Sequence, residues 1–85
     1  MQSKIAVMAI IVENVEMVSK LNECLHDYGE YIIGRMGIPY KERKINVISI
    51  VLEASQDVIS ALAGKVGNIS GVSVKTALSS LTFNE

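Results

Sequence analysis

An α+β fold, four antiparallel strands with two helices on one face of the sheet, is what this sequence predicts, and three observations predict it. Two long runs rich in Ile and Val, one at the start and one in the middle, read as buried strands. Each is followed by a segment with apolar residues at helical spacing, bounded by a capping residue and a glycine. The two runs also align with each other: Lys4 with Lys44, Ile5 with Ile45, Val7 with Val47, Ile10 with Ile50, Ile11 with Val51, Val12 with Leu52 and Glu13 with Glu53.

Residues 4–13, KIAVMAIIVE, are continuously apolar and of strand length. Asn14 offers an N-cap to a helix whose stripe is Val18, Leu21, Leu25 and Tyr28, widened by Met17 and Cys24, with Gly29 ending it at C′. Residues 30–38, EYIIGRMGI, form the second strand and residues 44–53, KINVISIVLE, the third, joined by a turn around Pro39 to Glu42. Ser55 caps a second helix that runs through Val66, with Asp57 in its first turn, Lys65 in its last and Gly67 closing it. The final strand, GVSVKTALS, alternates with Val72, Val74 and Leu78 on one face. The order β-α-β-β-α-β with an internal repeat is that of the split βαβ, ferredoxin-like sandwich. It predicts sheet order 4-1-3-2, in which the most apolar strands, 1 and 3, are central.

At 85 residues, positions 1–85 make a single domain. The chain is 49% apolar and only 20% charged, with mean hydropathy +0.35, which is more apolar surface than so small an interior can hide. Strand 1 is apolar on both faces, Ile5, Val7, Ala9 and Ile11 against Ala6, Met8, Ile10 and Val12. Strand 2 sets Ile32, Met36 and Ile38 against Tyr31 and Ile33. Two helices cover one face, so a homo-oligomer, a dimer or tetramer joined through the sheet, is expected to cover the other.

Net charge −1 and a pI near 5.8 give no bulk attraction to nucleic acid or to anionic membrane. The lone Cys24 excludes an internal disulfide and fits a reducing cytoplasm. The N-terminal apolar run resembles a signal peptide, but ENVEMV follows where a small-residue cleavage site would stand. The run is too short to span a bilayer as a helix.

Cys24 and His26 are two apart on a helix and diverge, so no metal site is expected from them. The AGKVG segment at 63–67 lacks the spacing of a phosphate loop and falls at a helix C-terminus, whose dipole repels anions. Glu13 and Glu53 end the central strands at equivalent positions, where they could sit near each other. No nucleophile has a base at a readable spacing, so neither catalysis nor a cofactor is expected.

The stretch GRMGIPYKERK, Gly34 to Lys44, has two readings. It is a hairpin with an interface role, or it holds a ligand or anion through Arg35. Arg35 is expected on the face of Tyr31 and Ile33, the one a partner covers, flanked by Gly34 and Gly37 where another backbone or a ligand approaches. Lys41, Arg43 and Lys44 stand at the tip.

The stretches GRMGIPYKERKINVISIVL and ISALAGKVGNISGVSVKT resemble the iron-only hydrogenase system regulator family, a likeness running from Ile5 to about Ala77. Its members are similar to ACT domains and to the C-terminal sensor domain of the nickel-responsive repressor. The resemblance implies an ACT-like, cytoplasmic, oligomeric module that senses a small molecule or takes part in transcription. This chain departs from those relatives in having one His, no glycine in the loop ENVEM after strand 1, and no ribbon-helix-helix ahead of it. A non-catalytic regulator is therefore expected, with Gly34, Arg35, Gly37, Tyr31 and Ile33 as ligand or interface residues. The alternatives are an oligomer that binds DNA directly through Lys41, Arg43 and Lys44, and a small oligomeric enzyme with its site in the sheet cleft.

Overall fold

A computed structural model describes residues 2–84. Strand β1 spans Gln2–Val12, helix α1 Val18–Asp27, β2 Ile32–Tyr40, β3 Ile45–Ala54, α2 Gln56–Gly67, β4 Val72–Leu78 and β5 Phe83–Asn84. Single 3-10 turns at Val15–Met17, Gly29–Tyr31 and Lys41–Arg43 join them. The sheet is antiparallel throughout, in the order β2-β3-β1-β4, which is the expected 4-1-3-2 read from the other edge. The short β5 is an addition: Phe83 and Asn84 pair with Ser3 and Gln2, beyond the end of β4. Two residues carry no alternation, so this strand leaves no periodic signal.

The helix boundaries follow local chemistry. The Asn14 side chain accepts the Glu16 N–H at 3.1 Å, and the chain turns once as 3-10 before settling into α1. Ser55 caps α2, its hydroxyl accepting the Val58 N–H at 3.3 Å, with Asp57 in the first turn and Lys65 in the last. Gly29 does not stop α1 in a left-handed conformation but opens the next 3-10 turn. The glycine with positive φ is Gly71, at +74°, in the tight connection from α2 to β4. Its carbonyl accepts the Glu13 N–H at 2.7 Å, tying the two loops at this end of the sheet.

The core lies between the helices and one sheet face. Ala6, Met8, Ile10 and Val12 of β1 and Ile48, Ile50, Leu52 and Ala54 of β3 are buried with Leu21 and Leu25 of α1 and Ile59, Leu62 and Val66 of α2. Both helices feed one cluster, so both sit on the same face. No buried polar or charged residue interrupts it among the described residues.

The opposite face carries Val7, Ala9 and Ile11 of β1, Val47 and Val51 of β3, and Met36 and Ile38 of β2. Ile11 is 41% exposed, Ile38 50% and Met36 60%, and none of the described elements covers them.

Strand β2 corrects the sequence expectation. Ile32 pairs with Leu52 and Gly34 with Val51, so Ile33 is the extra residue of a β-bulge. The bulge shifts every later residue by one position: Arg35 lies opposite buried Ile50 and Gly37 opposite Ile48, on the helix side. Met36 and Ile38 therefore take the open face, and Ile32 sits with Arg35 rather than with them. Tyr31 belongs to the 3-10 turn and not to the strand. Pro39 is tolerated because β2 is an edge strand.

Candidate functional site

The β2–β3 hairpin and the start of α1 border an open groove. Two hollows of about 230 and 240 Å³ share Pro39 and Asn46. The inner one is lined by Val18 of α1, by Arg35 and Gly37 of β2 and by Ile48 of β3. The outer one adds Val15, Lys41, Lys44 and Ile45. The hairpin tip closes through the Lys41–Arg43 turn, after which Lys44 adopts the left-handed conformation at φ 57°.

Arg35 reaches across the inner hollow to α1, where its Nη2 donates to Asn22 Oδ1. An exposed arginine held by a neutral amide keeps its charge uncompensated, whereas the sequence pattern had suggested an arginine closed into a partner contact. Gly37 lies on the groove floor, where an added Cβ would come within 3.9 Å of Ile48 Cγ1.

The other expected site residues scatter. Gly34, opposite Val51, lies on the open sheet face with free space around it. Tyr31 and Ile33 line a different hollow of about 390 Å³ at the far end of β2, with Ser3, Glu30, Glu53 and Ser55. There the Ser3 hydroxyl donates to Glu53 Oε2 at 2.7 Å. Glu13 and Glu53 do not approach each other. Strands β1 and β3 are antiparallel, so Glu53 faces Ile5 at one end while Glu13 follows Val12 at the other.

Cys24 and His26 have different surroundings. Cys24 packs against the core, and burial pushes its thiol above the ordinary value. His26 is exposed. No group of three or more His, Cys, Asp or Glu is placed to hold a metal among the described residues. In AGKVG, Lys65 stands over the Tyr28 ring, its Nζ 5.0 Å from the centroid, and the hydrogen bond to Tyr28 raises its pKa. Gly64 has open space around it. Residues missed in the sequence are Asn22, Asn46 and Val18. Asn46 had a readable signal: it is the one amide in the helix-facing row Asn46, Ile48, Ile50, Leu52.

This small α+β fold, with its uncovered apolar sheet face and cationic groove, is that of a known sequence family. Residues 4–76 match the model of the TM1266-like family, described as "Iron-only hydrogenase system regulator, putative", and the chain belongs to that family. Among solved structures, 39 chains match. One is the uncharacterized protein TM1266 from Thermotoga maritima, 38% identical, with TM-score 0.86 over 89% of this chain and 96% of that one. No curated protein matches. No helix among the described residues is long and apolar enough to cross a membrane.

Proposed function

We propose that this chain, acting as a single ACT-like, ferredoxin-like domain, is a non-catalytic regulatory module that works in the cytoplasm as a homo-oligomer and responds to a small molecule. The observation that carries this reading is the open sheet face. Ile11, Met36, Ile38 and Val47 lie together on it, all more than a third exposed. Soluble monomers rarely leave more than a few hundred Å² of contiguous apolar surface wet. Burying such a face contributes about 25 cal/mol per Å² before the costs of association. A second copy is the simplest cover, because the same face on each protomer is self-complementary under two-fold symmetry. Gly34, flat and unobstructed on that face, allows close backbone approach.

Sedimentation equilibrium at micromolar concentration tests the reading, with Ile11→Asp and Met36→Asp as variants on the face. Dimers or tetramers that the aspartates split support it. A folded wild-type monomer rejects it.

A second reading is favoured by the exposure of Lys41, Arg43 and Lys44 around one turn at the hairpin tip. Repeated in an oligomer, these cations would engage DNA phosphates. Such binding would weaken steeply with added salt in a gel shift.

A further inference from the structure

We propose that the groove between the start of α1 and the β2–β3 hairpin binds a small organic anion, a carboxylate or phosphate on an apolar body, through Arg35, Lys41 and Lys44. This deepens the small-molecule part of the function proposed above and is independent of the oligomer.

Charge is the first argument. The chain is acidic overall, yet three of its eight Lys and Arg residues line the two joined hollows and no carboxylate does. Glu42 on the same tip engages the Tyr40 hydroxyl at 3.5 Å, and Glu16 lies on the turn before α1; neither lines the groove. Like charges gathered without counter-charges attract an anion, and walls of low dielectric strengthen the attraction.

Arg35 itself keeps most of its donors unengaged. Its guanidinium offers five donors, of which one is engaged by the neutral amide of Asn22. Asn22 fixes the direction of the side chain without neutralising it. A planar fork so held suits the two oxygens of a carboxylate or phosphate.

Shape and polarity supply the third. Val18, Pro39 and Ile48 give the inner hollow an apolar floor, and Gly37 leaves that floor clear. Each hollow, about 230 and 240 Å³, lies just under the size range of small-molecule sites, roughly 300–1,000 Å³, and the two adjoin at Pro39 and Asn46. A concave apolar floor with cations at its rim favours an amphiphilic small anion over a duplex, which would meet only the tip.

The test is an amide chemical-shift titration of the full chain with hexanoate, hexyl phosphate, inorganic phosphate and, as the uncharged control, hexanol. Saturable shifts of Arg35, Gly37, Lys44 and Asn46 with hexanoate or hexyl phosphate, and not with hexanol, are expected. Whichever of the two binds tighter identifies the head group. Arg35→Gln, with an unchanged circular dichroism spectrum, should weaken binding about tenfold or more, the usual loss for a charge-assisted hydrogen bond. Gly37→Val, which fills the floor but keeps every charge, should weaken the tailed anions more than inorganic phosphate. Equal binding of hexanol, equal affinity of Arg35→Gln, or no saturable shift with any anion overturns the proposal. So does a DNA duplex that shifts these amides where the small anions do not. Sedimentation of the same samples separates the two claims. An oligomer that ignores every anion defeats the groove alone, and a monomer that binds them defeats the oligomer alone.

Discussion

A Cβ built on Gly71 would lie 2.8 Å from the Cβ of Asn14, closer than two non-bonded carbon atoms stand. The φ of +74° at Gly71 adds backbone strain for any other residue. Gly71→Ala should therefore lose at least about 1–3 kcal/mol of unfolding free energy. Gly64→Ala, at an open helical position, should instead gain about 0.5–1 kcal/mol. Urea melts of the two variants check the opposite signs.

The cap on α2 is a single hydrogen bond from the Val58 N–H to Ser55. Ser55→Ala should cost about 1 kcal/mol and Ser55→Asp much less, because a carboxylate also accepts this bond and complements the helix dipole. Denaturant midpoints at neutral pH provide the readout.

Deleting Ile33 should harm the fold far more than truncating it. Ile33→Ala removes a side chain that is 62% exposed and should change stability by less than about 0.5 kcal/mol. Removal of the whole residue erases the bulge, and the strand must then either turn Arg35 to the open face or pull Ile32 from its packing. Loss of amide protection along β2 in hydrogen exchange would register the deletion.

Both shifted groups make the protein less stable at high pH. Burial raises the Cys24 thiol above 9.0, so the folded state holds the proton longer than the unfolded chain does. Stability is constant below the unfolded value and falls as pH rises from there through the folded pKa. Lys65, raised above 10.5 by its hydrogen bond to Tyr28, acts with the same sign: its contribution is present below the unfolded value and lost as pH climbs through the folded one. A pH series of alkylation rates should place the Cys24 midpoint above 9.0. Tyr28→Phe should lower the Lys65 midpoint in an NMR titration.

The architecture was legible where burial imposes a period. Strands β1 and β3, each with one buried apolar face, and α2, with its Ser55 cap, lie within a residue or two of their expected bounds. The bulge was not legible, because Ile32 and Ile33 are equally apolar and either can face the core. A tertiary preference, Ile32 against Leu52, decides between them. That one choice relocated Arg35, which is why the site expected around it divided. Arg35 and Gly37 fell in the groove, Gly34 on the open face, and Tyr31 and Ile33 at the far end. The part played by Asn22 depends on which way Arg35 points, so no pattern in the chain announces it.

The central place of β1 governs the order in which the chain can fold during synthesis. All the partners of β1, namely β3, β4 and β5, follow it in the chain, so during synthesis it stays unpaired until β3 has been made. Its buried row, Ala6, Met8, Ile10 and Val12, stays open to other chains over that interval. Loop closure over such separations slows folding, and exposed apolar strands aggregate while they wait. The nascent β1 should therefore be a client for a chaperone. Substitutions in β4, which completes the cover on β1, should lower soluble yield more than they lower the stability of the finished protein.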